Sequence, residues 1–174
     1  MSPVRTITVE KQTLAPAKEV TSKKPGLKLQ VADGMFLESS KLANVTDWKE
    51  STLKSLGEIT QIVKSTSSMR GVKQYAAIAS GYVTIPEDGV YYFSSDLEEV
   101  WIDGKLLISN KGEVKRFSRN DRSVALAKGL HEIKVVFLGH IIGGWPSNWN
   151  NGSVNIRRSD AEAFTPVTPE MLSF

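Results

Sequence analysis

Residues 139–152 contain the side chains best suited to ligand chemistry in this sequence. The stretch reads GHIIGGWPSNWNNG and places two tryptophans among three asparagines: Trp145, Asn148, Trp149, Asn150 and Asn151. Aromatic faces stack on the C–H patches of sugar rings, and amides bond to sugar hydroxyls. The loop is therefore a candidate carbohydrate site. Its tryptophans could instead pack inward and fasten a long glycine-rich loop, because large aromatic side chains are usually buried.

Acidic side chains and histidines are the other residues in this sequence that could support catalysis. Four carboxylates lie within eight positions of one another: Asp96, Glu98, Glu99 and Asp103. A glycosidase needs two carboxylates that face each other across a cleft, whereas these lie on one predicted hairpin. The two histidines, His131 and His140, belong to no catalytic or metal-binding motif. We therefore predict no catalytic constellation in this chain.

Composition narrows the class of protein. The 174 residues include 40% hydrophobic and 24% charged residues, which is typical of one soluble domain with tails. The net charge of +3 comes from scattered lysines and arginines, so no nucleic-acid surface is expected. The absence of cysteine excludes disulfides and thiolate chemistry. No run approaches the roughly 18 apolar residues of a membrane span, and no signal peptide is evident.

Residues 81–104 predict two β-hairpins in series. Apolar residues alternate with polar ones over residues 83–85, and Pro86 to Gly89 then supply the residue types of a tight turn. Residues 90–95 are rich in types that suit a pleated surface. Asp103-Gly104 is a strong signal for a two-residue turn between strands at residues 100–102 and 106–108.

The remaining pattern also indicates short strands separated by turns. Further strands are expected at residues 27–31, 59–63, 114–117, 123–126, 131–138 and 154–156. Residues 44–56 fit a short helix or an irregular connection, and Met35 to Leu37 are expected to re-enter the core. Trp48 and Trp101 are expected in the core as well. This spacing predicts an all-β fold, an antiparallel β-sandwich or barrel.

The first 25 residues differ in character from the rest. Residues 4–10 read as a lone strand, and the lysine- and proline-containing stretch that follows reads as a linker. We predict that residues 1–25 form an extended N-terminal arm with little core of its own. Residues 26–174 are predicted to form a β-domain with a C-terminal tail. The lone strand either ends an upstream domain or adds to this domain's own sheet.

A family resemblance rests on the central hairpins. The run GYVTIPEDGVYYFSSD at residues 81–96, followed by Ile102-Asp103-Gly104-Lys105, resembles the protective-antigen-like module of adhesins, toxins and glycoside hydrolases. The resemblance covers residues 26–158 and implies an antiparallel sandwich or barrel that often binds carbohydrate. Because the module serves many purposes, it is more specific for fold than for ligand.

The resemblance also bears on a sugar site and on calcium. Family sugar sites use loops at the end of the fold where Asp96 lies, so Asp96 joins the five loop residues as a candidate. Members with calcium-dependent sugar binding carry two consecutive aspartates there, whereas Leu97 follows Asp96 in this sequence. Since hard cations need several oxygen ligands, we expect no calcium and no other cofactor. Asp96 and Glu98 are the carboxylates that could hold calcium at this place.

The two ends of the sequence suggest a parent protein. The N-terminal arm and the tail Thr-Pro-Glu-Met-Leu at residues 168–172 resemble the C-terminal region of multidomain bacterial β-hexosaminidases. This implies a non-catalytic accessory module of an exported glycoside hydrolase. Such a protein would lie in the periplasm, on the cell surface or outside the cell. Its expected partners are a glycan that contains N-acetylhexosamine and an upstream catalytic domain of the same chain. The alternative is a structural spacer or docking domain that binds no sugar.

Overall fold

A computed structural model describes residues 13–62, 74–110, 120–139, 141–142, 145–146 and 152–174. Short 3₁₀ helices at Ser39–Asn44, Leu56–Thr60 and Pro169–Met171 connect strands. The strands within the described residues are β1 Leu27–Asp33, β2 Lys49–Leu53, β3 Tyr75–Ile85, β4 Gly89–Ser95, β5 Glu99–Ile102, β6 Lys105–Ser109, β7 Asn120–Leu126, β8 Gly129–Gly139, β9 Ile141–Ile142, β10 Trp145–Pro146, β11 Val154–Arg158, β12 Thr165–Pro166 and β13 Leu172–Ser173.

The described strands form two main antiparallel sheets. The larger sheet has the order β2-β1-β3-β8-β5-β6, and β13 pairs with β3 beside this path. The smaller sheet has the order β12-β11-β4-β7, and β9 pairs with β10 separately. All of these ladders are antiparallel. The prediction of an all-β antiparallel sandwich is therefore confirmed.

The core lies between the inner faces of the two sheets. Inner side chains alternate along each strand, as in β8, where Ile133, Val135 and Phe137 are buried. The smaller sheet contributes Phe93, which is fully buried. Burying one such large apolar side chain contributes about 1.5–3 kcal/mol. The sandwich is thus held chiefly by apolar packing.

The outer face of the larger sheet is divided into two regions. At one end, a second apolar cluster contains Leu42, Ala76, Val136 and Leu138, with Trp48 packed against it. Toward the other end, the outward positions of β1, β3 and β8 become polar: Lys28, Ser80, Glu132 and Lys134. The side chains of this polar region line a groove.

The described part of the N-terminal arm lies against the domain. The Ala15 amide donates to the Ala125 carbonyl at 2.9 Å, and the Lys18 amide donates to the Leu130 carbonyl at 2.8 Å. Farther along, Lys24 and Phe174 exchange backbone hydrogen bonds of 2.6 and 2.9 Å. The arm and the C-terminal tail therefore pair with each other, and the tail pairs with strand β3.

Four local predictions are wrong. The stretch 44–56, expected to be a short helix or an irregular connection, contains strand β2. The strand predicted at residues 59–63 does not begin there, because Ile59 and Thr60 belong to a 3₁₀ helix. Met35 and Leu37 do not re-enter the core, since 61% and 60% of their surfaces are exposed. Trp101 lies on the outer face of the larger sheet and is partly exposed, so it is not a core residue.

Several predictions fall outside the described residues. They are the lone strand at residues 4–10, the strand at residues 114–117 and the place of His140. Within the part of the chain that the structure describes, no helix has the length and apolarity that crossing a membrane requires.

Candidate functional site

The acidic loop between β4 and β5 is buried. Asp96 and Glu98 are 8% and 4% exposed. The Leu138 amide donates to Glu98 Oε2 at 2.9 Å, so one of these carboxylates is tied to strand β8. Burying a carboxylate is costly unless it accepts hydrogen bonds, which explains this tie. Both side chains therefore belong to the packed end of the sandwich.

Asn110 organises the same loop. Its side-chain amide donates to the carbonyls of Ser95 and Leu97 at 3.0 and 2.5 Å, and its backbone amide donates to the Glu98 carbonyl at 2.9 Å. Asn110 is fully buried. One side chain thus satisfies two buried carbonyls that the turn removes from the ladder.

Replacing Asn110 with alanine is expected to lower the free energy of unfolding by about 1–3 kcal/mol. The change leaves the carbonyls of Ser95 and Leu97 buried without this donor. Urea unfolding measures the loss. Ser109→Ala, one position earlier at an exposed site, is the control and is expected to change stability by less than about 0.5 kcal/mol. Equal stability of the two variants would contradict the assignment.

The predicted sugar-binding loop lies largely outside the described residues. Trp145 falls in the short strand β10, and Asn148, Trp149, Asn150 and Asn151 are outside the part that the structure describes. Asp96 is the one member of the predicted set whose surroundings are described. The loop site and the absence of calcium therefore stay predictions. The described residues contain no group of three or more acidic or histidine side chains placed to hold a metal ion.

A groove on the outer face of the larger sheet is the candidate site that the described residues form. Its volume is about 490 Å³, within the range of about 300–1,000 Å³ typical of ligand pockets. Ser80 and Gly81 belong to its β3 segment, and Val20 and Ser22 bring the N-terminal arm to it. We call it the outer-face groove; its remaining lining residues are Lys28, Tyr82, Trp101, Gly104, Glu132, Ile133, Lys134 and Phe174.

Trp101 is held in a fixed position beside the groove. Its indole N–H donates to Glu99 Oε2 at 2.9 Å, and Ser39 donates to the other oxygen of that carboxylate at 2.5 Å. The Lys134 ammonium lies 4.2 Å from the centre of the Trp101 ring, which is a cation–π contact. The aromatic wall is therefore positioned before any ligand binds.

The β5–β6 turn, which supplies Gly104 to the groove, is anchored by a buried histidine. His131 Nδ1 lies 2.7 Å from Asp103 Oδ2, and His131 Nε2 donates to the Ala127 carbonyl at 2.7 Å. The other Asp103 oxygen accepts from the Glu132 amide at 3.0 Å. Asp103 has a φ of 49°, as a tight turn requires. His131 is thus a buried structural residue.

The outer-face groove was missed by sequence reasoning, although one signal for it exists. Val100 and Ile102 are buried, so the period of two along a strand places Trp101 on the opposite face. The polar outward residues of β3 and β8 indicate that this face is solvated. The course of the arm and tail along the groove has no local signal, because it depends on pairing between the ends of the chain.

Comparisons with known proteins agree with this architecture. The family model of the PA14 domain matches residues 23–168. A curated protein named Beta-hexosaminidase, from Porphyromonas gingivalis (strain ATCC BAA-308 / W83), is 45% identical over 172 residues. That match covers 99% of this chain and 22% of the relative, so the chain spans about a fifth of that relative's length.

Two solved structures share the fold at low sequence identity. The PA14 domain of the MpAFP antifreeze protein has a TM-score of 0.54 and 14% identity, covering 90% of this chain and 94% of that one. The Epithelial Adhesin 9 A domain from Candida glabrata, solved in complex with Galb1-3GlcNAc, has a TM-score of 0.55 and 10% identity, covering 91% and 93%. Since the family model matches most of the sequence, the chain belongs to the PA14 domain family.

Proposed function

We propose that this chain is a non-catalytic accessory domain of a larger, exported glycoside hydrolase of the β-hexosaminidase type, and that it binds glycan. The 45% identity to part of a protein named Beta-hexosaminidase supports the parent class. The glycan complex of the adhesin neighbour supports sugar as a ligand class for this fold. The sugar ligand and the catalytic domain upstream in the same chain would then be the two partners.

The outer-face groove is the observation that carries this proposal. Sugar sites combine an apolar or aromatic wall with a few polar groups that bond to hydroxyls. Trp101 and Tyr82 supply the aromatic wall of the groove. Ser80, Glu132 and Lys134 supply its polar groups. The fixed position of Trp101 reduces the entropy that binding would otherwise cost.

The carboxylate arrangement supports a non-catalytic role. Of the described side chains that line the groove, Glu132 supplies the one carboxylate. Asp96 and Glu98 are buried at the β4–β5 loop. A glycosidase needs two carboxylates that flank one scissile bond. We therefore assign the groove to binding and the chemistry to a catalytic domain elsewhere in the parent protein.

Tethered binding would help such an enzyme without great affinity. A domain that holds glycan raises the local concentration of substrate near the catalytic domain attached to it. An N-acetylhexosamine-containing glycan is the ligand expected from the parent class. The loop residues Trp145, Asn148, Trp149, Asn150 and Asn151, together with Asp96, remain a second proposed sugar site.

Trp101→Ala is expected to weaken sugar binding about tenfold or more, because it removes the aromatic wall. Isothermal titration with N-acetylglucosamine, N,N′-diacetylchitobiose and lactose measures the affinity. Tyr92→Ala is the matched control, since Tyr92 is partly exposed on the smaller sheet and stacks with Arg157 instead. A loss of binding in Trp149→Ala but not in Trp101→Ala would move the site from the groove to the loop.

Docking without sugar binding is the second candidate function. It is favoured by Met35 and Leu37, two large apolar side chains exposed within one loop. Such side chains would be covered if the domain packed on the catalytic domain of its parent. Absence of binding to all three sugars, with normal stability, would favour docking over the glycan-binding proposal.

A further inference from the structure

We propose that the outer-face groove selects glycans that carry a negatively charged group, and that Lys28 and Lys134 bind this group above Ser80. The group is a carboxylate or a sulfate on a pyranose ring. The inference rests on the proposed function, because it requires a sugar ring at the aromatic wall. It goes further by naming the chemical class of the glycan and the two residues that select it.

Strand register places the two lysines on either side of a small residue. Lys28 of β1 pairs with Ser80 of β3, and Ser80 pairs with Lys134 of β8. Neighbouring strands lie about 4.8 Å apart, so the backbones of the two lysines are about 10 Å apart. Directly paired residues point to the same face of a sheet. A short hydroxyl side chain therefore lies between two long cationic ones.

Neither lysine is neutralised by a carboxylate in the described part of the chain. Ion pairs within 4.0 Å join Lys49 to Asp33 and Arg158 to Glu87, but none includes Lys28 or Lys134. Glu132 lies one row farther along β8, where it pairs with Tyr82. Two cationic side chains in one row with a hydroxyl suit an anion, because hydrogen bonds between charged groups are the stronger ones.

The aromatic wall lies next in the same row. Lys134 pairs with Trp101 of β5, and its ammonium lies over the indole ring at 4.2 Å. A sugar unit that stacks on this ring face would displace the ammonium from it, and the displaced ammonium could then bind the charged substituent of the sugar. The carboxylate of Glu132 and the hydroxyl of Tyr82 are in the next row, where hydroxyl groups of the sugar would be recognised.

The test compares anionic with neutral disaccharides by isothermal titration. The probes are an unsulfated glucuronate–N-acetylgalactosamine disaccharide, its sulfated form and neutral N,N′-diacetylchitobiose. We expect the anionic probes to bind about three- to tenfold more tightly at low ionic strength, and the difference to shrink as salt is added. The ratio between the two anionic probes shows whether carboxylate alone suffices or sulfate adds affinity.

Charge-neutral variants identify the residues responsible. Lys28→Gln and Lys134→Gln should each remove most of the anionic preference, measured as the ratio of the affinities for the anionic and neutral probes. Lys134→Gln is also expected to lower the affinity for chitobiose, because the Lys134 ammonium holds the Trp101 ring. Lys41→Gln, at an exposed site in the 3₁₀ helix Ser39–Asn44, is the matched control and should retain the preference. Thermal unfolding verifies that each variant is folded.

The outcomes separate this inference from the function on which it rests. Equal binding of neutral and anionic probes would overturn the inference and leave the glycan-binding proposal standing. A preference that survives in both lysine variants would also overturn it, since another part of the chain would then read the charge. No binding of any probe would overturn both.

Discussion

His131→Ala is expected to lower the free energy of unfolding by about 3 kcal/mol. The side chain is fully buried, and both ring nitrogens have partners at 2.7 Å, the Asp103 carboxylate and the Ala127 carbonyl. Alanine removes both contacts, opens a cavity and leaves a largely buried carboxylate without its partner. The effect is large because His131 joins the β5–β6 turn to the β7–β8 turn, where Ala127 also bonds to the N-terminal arm.

A double-mutant cycle in urea isolates the His131–Asp103 contribution. Asp103→Asn is the suitable second change, because asparagine tolerates the positive φ of this turn and retains an oxygen for the Glu132 amide. We expect a coupling energy of about 1–2 kcal/mol between the two sites. If the double variant lost the sum of the stabilities lost by the two single variants, the contact between His131 and Asp103 would contribute no interaction energy.

The central hairpins could be predicted because their signals are local. The Asp103-Gly104 turn requires positive φ at both residues, and the observed angles are 49° and 75°. The predicted strand at residues 90–95 corresponds to β4 Gly89–Ser95. Alternation and turn chemistry act over a few residues, so neither depends on the rest of the chain.

Strand β2 could not be predicted because its own residues do not specify it. In Lys49–Leu53 the first four residues are exposed and one is buried, so no alternation is present. The strand exists because its backbone pairs with β1, from Leu27 opposite Leu53 to Val31 opposite Lys49. An edge strand of this kind is set by its partner rather than by its own pattern.

The outer-face groove likewise combines a feature that the local sequence predicts with features that depend on strand pairing. The face on which Trp101 lies follows from the burial of its neighbours in the strand. The placement of Lys28 beside Ser80 and Lys134 does not follow from any local pattern. These residues come from three strands and meet through long-range register. A sequence pattern can therefore predict the face of the sheet on which an aromatic residue lies. Predicting which charged residues surround it requires the order of the strands in the sheet.

Gly81→Ala is expected to lower the free energy of unfolding by about 2–3 kcal/mol and to weaken sugar binding in the outer-face groove. A Cβ at position 81 would overlap the Ser173 carbonyl and lie 2.7 Å from Leu27 Cδ2. The overlap is with backbone, so relief requires strand β13 to move away from β3. Leu172 would then lose its buried position, and Phe174 would leave the groove.

Urea unfolding measures the stability loss, and amide hydrogen exchange at Ser173 and Phe174 reports whether the tail has moved. Gly89→Ala is the matched control, because its Cβ would contact the flexible Arg158 side chain, with Nε at 2.8 Å, and no backbone atom is among its nearest contacts. That side chain can move, so we expect a loss below about 1 kcal/mol. If the Gly81→Ala variant kept full stability and slow amide exchange at Ser173 and Phe174, close packing of β13 over Gly81 would not be what holds the tail. Phe174 would then remain in place without that packing, and the assigned boundary of the groove would be wrong.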